Sequence, residues 1–361
     1  MALADPARAK EAVTLHPDFP QRSETYIRGL TFNAIRMHLR HEASTRDLKV
    51  HTDSDAGITV QLARGLLSFS RAGAGVQARV QAPRPEWLQV LKEGLVERLG
   101  QVAPDSVDGL RWSGSDQAGK HPANFHFARV LSVTPLGRAF VRVRASVKDL
   151  SGFQDDAIHF RLVLPPEGAT AVQWPTLAAN GTAVWPKGDQ TLHRPVYTVR
   201  MLDHATGTLD FDVFLHEGGR VTNWVHTVLP GATFGISGPV GGGIPQTARL
   251  LAYADETAFP ALARILENLP CDSVGQVTLF ADAGAECAYP IHFPDGISVK
   301  WHIRADGTDL ADLALADHSK RPDHFLWVAS EKSEVQRVRA AFKDNNGDPA
   351  QAYISAYWSR P

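Results

Sequence analysis

Apolar and polar residues alternate in four consecutive short stretches, DLKVHTD, GITVQLA, GLLSFSR and VQARVQA, separated by turns containing Gly or Asp. Period-two alternation of this kind predicts a small antiparallel sheet. Helical spacing runs through Ile27, Leu30, Ile35 and Leu39 ahead of it. Behind it Pro85 opens a second helix, with Trp87, Leu88, Val90, Leu91, Leu95, Val96 and Leu99 at helical period and Gly100 as its stop. Residues 1–108 therefore read as one helix–sheet–helix module. The Asp-, Ser-, Gly- and Pro-rich stretch that follows (109–122) reads as a linker.

From residue 123 the pattern is almost entirely short strands: HFARVLSVTPL, AFVRVRASV, HFRLVLPP, VYTVRMLD, TLDFDVFLH and ATFGISGP. Several strands without a long helix predict an antiparallel barrel over 123–243. After Pro245 the apolar strands RLLAYA, VGQVTLFADA, SVKWHIRA and HFLWVAS alternate with helical patterns such as FPALARILENL and SEVQRVRAAFKD, and YISAYW follows. That alternation predicts a doubly wound parallel α/β domain over 244–361. The expected fold class is thus multidomain α+β, with a small module, a β-barrel and a nucleotide-type α/β domain.

Composition narrows the function. The 361 residues carry a net charge of −2, with 43% apolar and 21% charged residues. No overall field recruits nucleic acid or an acidic membrane. MALADPARAK lacks the apolar core of a signal peptide, and no run approaches a membrane span. Cys271 and Cys287 are the two cysteines, too few for a disulfide framework or a four-cysteine metal site, so a reducing cytoplasm is the expected setting. The 15 histidines show no recognisable metal-ligand spacing, including the pairs His121 with His126 and His193 with His216. No metal site is expected.

Three constellations carry candidate chemistry. Arg194-Pro195-Val196-Tyr197-Thr198-Val199-Arg200 supplies an aromatic ring, a hydroxyl and two cations on one strand. A flavin needs those three roles, yet the heptad reads equally as an ordinary strand with two surface arginines. Asp212-Val213-Phe214-Leu215-His216 runs into a Gly-containing turn, with Thr222 placed to cap a helix through Trp224. Free N–H groups there suit a diphosphate, and a plain strand–turn–helix is the alternative. GISGPVGGG lacks the Lys-Ser/Thr of a phosphate loop and reads as an interdomain turn. Tyr253-Ala254-Asp255-Glu256-Thr257 lies at the C-terminal end of the first parallel strand, where open α/β sheets bind ligands; Asp255 or Thr257 can equally be a helix cap.

In chain order these residues resemble the siderophore-interacting protein family of the ferredoxin reductase superfamily. The resemblance rests on Tyr197-Thr198-Val199-Arg200, Leu215-His216, Trp224, Pro230-Gly231, Gly238-Pro239, Asp255-Glu256-Thr257-Ala258-Phe259-Pro260-Ala261, Trp327-Val328-Ala329-Ser330-Glu331 and Tyr357-Trp358-Ser359-Arg360, and covers roughly residues 123–361. The first hundred residues resemble a small domain of unknown function that can be fused ahead of such reductases. The resemblance implies NAD(P)H-dependent, FAD-dependent reduction of ferric siderophores, a flavin bridging a two-electron donor and one-electron iron. It implies FAD contacts from Arg194, Tyr197, Thr198, Arg200, His216, Arg220, Thr222, Trp224 and Trp358, and nicotinamide contacts from Asp255, Thr257 and Glu331. Arg249 and Arg304 are the candidate cations for an anionic ferric siderophore.

Three departures stand out. Pro195 replaces the family's first flavin arginine, Arg220-Val221 replace a Gly-Pro-Ala turn, and Ala254 replaces a glycine. They favour one alternative to ferric-siderophore reduction, a siderophore-binding module with a degraded flavin site; a second, a reductase of the same superfamily acting on flavin, quinone or a redox protein, would differ only in its acceptor pocket.

Overall fold

The structure is a computed structural model; it describes residues 17–45, 48–107, 109–114, 117–153 and 158–360. The N-terminal segment on which the expectation about a leader rests lies outside the described residues. Two compact units are formed, one within Met1–Ala43, Leu48–Ala118 and Ala178–Thr182, the other within Ser44–Asp47, Gly119–Leu177 and Ala183–Pro361.

In the first unit, strands β1 (Gln21–Ile27), β2 (Val50–Asp53), β3 (Gly57–Leu62), β4 (Gly65–Ala72) and β5 (Gly75–Ala82) form an antiparallel sheet in the order β1-β5-β4-β3-β2. Helices α1 (Phe32–Thr45) and α2 (Pro85–Val102) accompany it. The expected first helix begins later than the apolar spacing indicates. Ile27 ends β1, whose Ser23, Thr25 and Ile27 are buried while the residues between them are not, so a strand alternation sits where helical spacing was read. The stretch expected to be a linker contributes core instead: Leu110 and Trp112 are each 1% exposed, in the same apolar cluster as Ile58, Val60 and Leu95.

The second unit begins with strands β6 (Phe125–Leu136), β7 (Phe140–Val147) and β8 (His159–Val163), the two-residue strands β9 (Thr176–Leu177) and β10 (Ala183–Val184), then β11 (Val196–Thr198), β12 (Met201–Asp203) and β13 (Thr208–Phe214). Helix α3 (Arg220–Thr227) and β14 (Thr233–Val240) follow. Seven of these strands make one antiparallel sheet, β11-β8-β14-β6-β7-β13-β12. Two residues separate β11 from β12, yet these strands occupy opposite edges of the sheet. The sheet must therefore curl until its edges meet: Val199 N donates to Ile158 O beside β8 at 3.0 Å, and the next residue, Arg200 N, donates to Asp210 O of β13 at 2.8 Å, so consecutive residues bond to the two sides of the seam. This is the expected barrel, closed around Phe160, Leu162, Phe211, Val213, Phe234 and Ile236.

The remaining elements are β15 (Arg249–Asp255), α4 (Phe259–Glu267), β16 (Val274–Ala281), β17 (Ile297–Ile303), α5 (Leu310–Lys320), β18 (Phe325–Glu331), α6 (Lys332–Asp344) and β19 (Ala352–Trp358). The strands form a wholly parallel sheet in the order β17-β16-β15-β18-β19. Alternate residues of β15 enter two different cores. Leu250, Ala252 and Ala254 pack with α4, and Leu251 and Tyr253 with α5 and α6. Helices on both faces make the domain doubly wound. Helix α5 was not anticipated; Asp309 caps it by accepting from Asp312 N at 2.9 Å.

Candidate active site

Within the second unit a cavity of about 590 Å³ opens where the barrel meets the C-terminal ends of the parallel strands. One wall is β8 and β11, contributing His159, Arg161, Val196, Tyr197 and Thr198. The other is β19 with Thr257 and Pro260. β11 is an edge strand bonded only to β8. Leu162 N donates to Pro195 O and Val199 N donates to Ile158 O. By antiparallel alternation the main-chain groups of Val196 and Thr198 turn away from β8, toward the cavity, and are available to a ligand.

In β8 the alternation places Phe160 and Leu162 in the barrel core, while His159 and Arg161 face the cavity. His159 is 4% exposed. Its Nε2 lies 3.0 Å from the Tyr357 hydroxyl, while its Nδ1 makes no hydrogen bond of ordinary geometry. Burial holds its pKa down to about 4, so the ring is neutral, and the nearby Arg264 adds to that effect. The Arg161 guanidinium is exposed and donates to Arg194 O at 3.4 Å.

Opposite, Asp255 is fully buried at the end of β15. Its Oδ1 accepts from Thr257 N at 3.0 Å and Thr257 Oγ1 at 2.5 Å, and its Oδ2 from Trp358 Nε1 at 2.6 Å. Burial raises its pKa to about 6 despite those donors. Glu331 caps α6 by accepting from Ser333 N at 2.6 Å, and accepts from Arg360 N at 3.2 Å. The Ser333 donors hold its pKa down to about 2.

At the end of β13, His216 borders the cavity and its N–H donates to Thr222 Oγ1 at 3.2 Å. Gly219, not Thr222, is the N-cap of α3; Thr222 lies in the first turn and closes the loop back onto His216. Asp212, also on the cavity, accepts from Arg142 Nε and Nη2 at 2.7 and 2.8 Å and from the Tyr289 hydroxyl at 2.7 Å.

Tyr197, Thr198, His216, Thr257 and Trp358 are thus brought to one cavity. The Tyr197 ring also leans into the barrel, 5.7 Å from Phe211 at an angle of 67°. The other expected residues lie elsewhere. Arg194 stacks on Trp185 at 4.1 Å. Arg200, 6% exposed, makes two hydrogen bonds to Glu267 at 2.7 and 2.5 Å. Arg220 donates to Pro165 O and lies 3.9 Å from Glu167. Trp224 packs on Phe234. Arg249 is paired with Asp323, and Arg304 with Glu256 and Asp282. Asp255 and Glu331 stand behind the cavity wall rather than in it. His159 and Arg161 were missed. The alternation HFRLV shows that they share a face, but only the pairing of β8 with β11 shows which face lines the cavity. Among the described residues, no cluster of three or more His, Cys, Asp or Glu side chains is arranged to hold a metal ion.

Two family descriptions match the chain back to back. Residues 129–243 match the siderophore-interacting FAD-binding domain, and residues 247–361 match the siderophore-interacting protein family. Together the two matches account for residues 129–243 and 247–361, so this part of the chain resembles an FAD-binding domain followed by a siderophore-interacting domain. It is similar to the NADPH-dependent ferric-chelate reductase of Escherichia coli (strain K12), at 29% identity over 246 residues, spanning 66% of this chain and 94% of that protein. It is also similar to the ferric vibriobactin reductase ViuB of Vibrio cholerae serotype O1, at 29% identity over 50% of this chain and 67% of that one. Among solved structures, a siderophore utilization protein from T. fusca superposes with a TM-score of 0.56 at 24% identity, over 67% of this chain and 95% of that chain. The siderophore-interacting protein SipS of Aeromonas hydrophila gives 0.55 at 20%, over 66% and 99%. These structural likenesses place the fold. The match over residues 129–243 is to an FAD-binding domain. Neither family match reaches the first 128 residues.

The cavity fits the flavin ring. It offers the outward main-chain groups of an edge strand, aromatic walls from Tyr197 and Trp358, and hydroxyls from Thr198 and Thr257. The turn from His216 to α3 adds main-chain N–H groups suited to a diphosphate.

Proposed function

We propose that the protein reduces ferric siderophores in the cytoplasm, with NADPH as donor and FAD as the bound redox group. The observation that supports this reading is a single cavity bordered on one side by the free edge of β11 and on the other by Trp358 and Thr257 at the mouth of a parallel sheet. FAD, when bound, takes up two electrons as hydride and passes them on singly. Val196 and Thr198 hold the ring edge through their main chain, and His216, Thr222 and the first N–H groups of α3 receive the diphosphate. Thr257 and Trp358 meet the nicotinamide side. Arg161 supplies positive charge at the cavity for an anionic ferric complex. One NADPH reduces two ferric centres, and the siderophore, which holds ferrous iron less tightly, then releases it. Among the described residues, no helix is long and apolar enough to cross a membrane.

The engagement of Arg194, Arg200 and Arg220 with other partners favours one second reading, a siderophore carrier without flavin. A visible absorption spectrum of the purified protein separates the two. The reductase reading expects oxidised flavin bands that bleach under anaerobic NADPH and return on adding a ferric siderophore. Absence of those bands, even after incubation with FAD, would refute it.

A further inference from the structure

Asp255 opens the sequence motif expected to touch the nicotinamide, but its surroundings leave it nothing to touch a ligand with. It is fully buried, and both carboxylate oxygens are taken by protein donors: Thr257 on Oδ1, Trp358 on Oδ2. Those two donors themselves line the cavity, one from the turn after β15 and one from β19. The carboxylate therefore ties together two wall elements that are 101 residues apart in sequence.

β19 needs such a tie. Its pairing with β18 slips between Ser330 and Glu331, so that Ser330 faces Ala356 while Glu331 faces Trp358. The extra residue breaks strand alternation and turns the consecutive Tyr357 and Trp358 both onto the cavity. A bulged edge strand lacks ladder bonds to fix its side chains. Here side chains replace them: Asp255 takes the Trp358 indole, and Glu331 takes Arg360 N just beyond it.

We propose that Asp255 is a positioning residue: its buried carboxylate clasps the Trp358 indole and the Thr257 hydroxyl so that both stand as fixed walls of the cofactor cavity. The functional consequence rests on the reading of that cavity as the flavin and nicotinamide site; the clasp itself does not. Burial raises the carboxyl's pKa, the Thr257 and Trp358 donors and Arg304 offset that rise, and Glu256 adds to it.

The test uses Asp255→Asn and Trp358→Phe in the full-length protein. An amide has one acceptor oxygen, so Asp255→Asn keeps the Thr257 bonds and presents a donor to the indole. Trp358→Phe keeps a ring and removes the donor. In protein without added FAD, hydrogen exchange of the Trp358 indole N–H, assigned by its loss in Trp358→Phe, should accelerate at least about tenfold in Asp255→Asn, the effect of one lost charge-assisted hydrogen bond. With FAD and NADPH, each single variant should raise the KM for NADPH about tenfold with a smaller change in kcat, and the double variant should be no worse than either. Unchanged indole exchange, or single effects that multiply in the double variant, would overturn the proposal. Failure of every form to bind FAD would instead sink the cofactor reading, and the exchange measurement would still decide the clasp.

Discussion

Arg200 is where the expectation from sequence and the structure disagree most usefully. The expected role is a cation for the FAD diphosphate. The structure buries it to 6% exposure and gives it both oxygens of Glu267, the last residue of α4, at 2.7 and 2.5 Å. Barrel and α/β halves of the second unit are joined by that pair. Removing one partner of a buried pair costs about 3–5 kcal/mol. Glu267 keeps 28% of its side chain in water, which screens the stranded guanidinium and lowers the figure for Glu267→Gln to about 2 kcal/mol. With a urea slope of about 3 kcal/mol per M, the unfolding midpoint should fall by about 0.7 M. Arg200→Gln strands only the partly solvated carboxylate and should cost about half as much. FAD titration followed by flavin fluorescence should stay within about twofold of wild type in both variants, far less than the loss of a charge-assisted contact would give. A tenfold loss of FAD affinity in Arg200→Gln with an unmoved midpoint would refute the structural assignment and restore the diphosphate role.

Two further outcomes follow from the site geometry. A Cβ on Gly219 would lie 2.6 Å from His216 Cε1 and 2.9 Å from Thr222 Oγ1, while the backbone there, at φ −70°, tolerates alanine. Gly219→Ala should therefore leave stability within about 1 kcal/mol yet swing the His216 ring aside and weaken FAD binding several-fold; equal FAD affinity would show that His216 is not a ligand. His159, held at about 4 against an ordinary value of 6.5, binds fewer protons folded than unfolded. Its contribution is intact above pH 6.5 and is lost as pH falls from there to about 4. At about 1.4 kcal/mol per pH unit this amounts to about 3 kcal/mol. Urea unfolding of wild type and His159→Gln across that range should diverge by that order, and parallel pH profiles would contradict the assignment.

Periodicity conveyed the architecture well because the elements bury one face each. The four-strand pattern, the barrel strands and the alternation after Pro245 all correspond to observed elements. Ile27 misled because one apolar residue closing a strand sits at helical distance from the next helix. Leu110 and Trp112 misled because a Gly-, Ser- and Asp-rich context does not reveal that two apolar residues within it reach a core. At the site, residue types were legible and directions were not. Tyr197, Thr198, His216, Thr257 and Trp358 reach the cavity, but an arginine beside a flavin motif looks the same in sequence whether it faces a phosphate, a Trp185 ring or a Glu267 carboxylate. His159 and Arg161 could be found only from the register of β8 against β11.

Tyr357 and Trp358 are neighbours in the chain, yet one reaches the barrel through His159 and the other the parallel sheet through Asp255. The last strand thus acts as a staple across the cavity: parting the two halves breaks the Tyr357–His159 contact, while the Trp358–Asp255 bond is internal to the sheet half and moves with it. A ring entering from the sheet side therefore meets an indole that cannot turn without first breaking its bond to the buried Asp255 carboxylate.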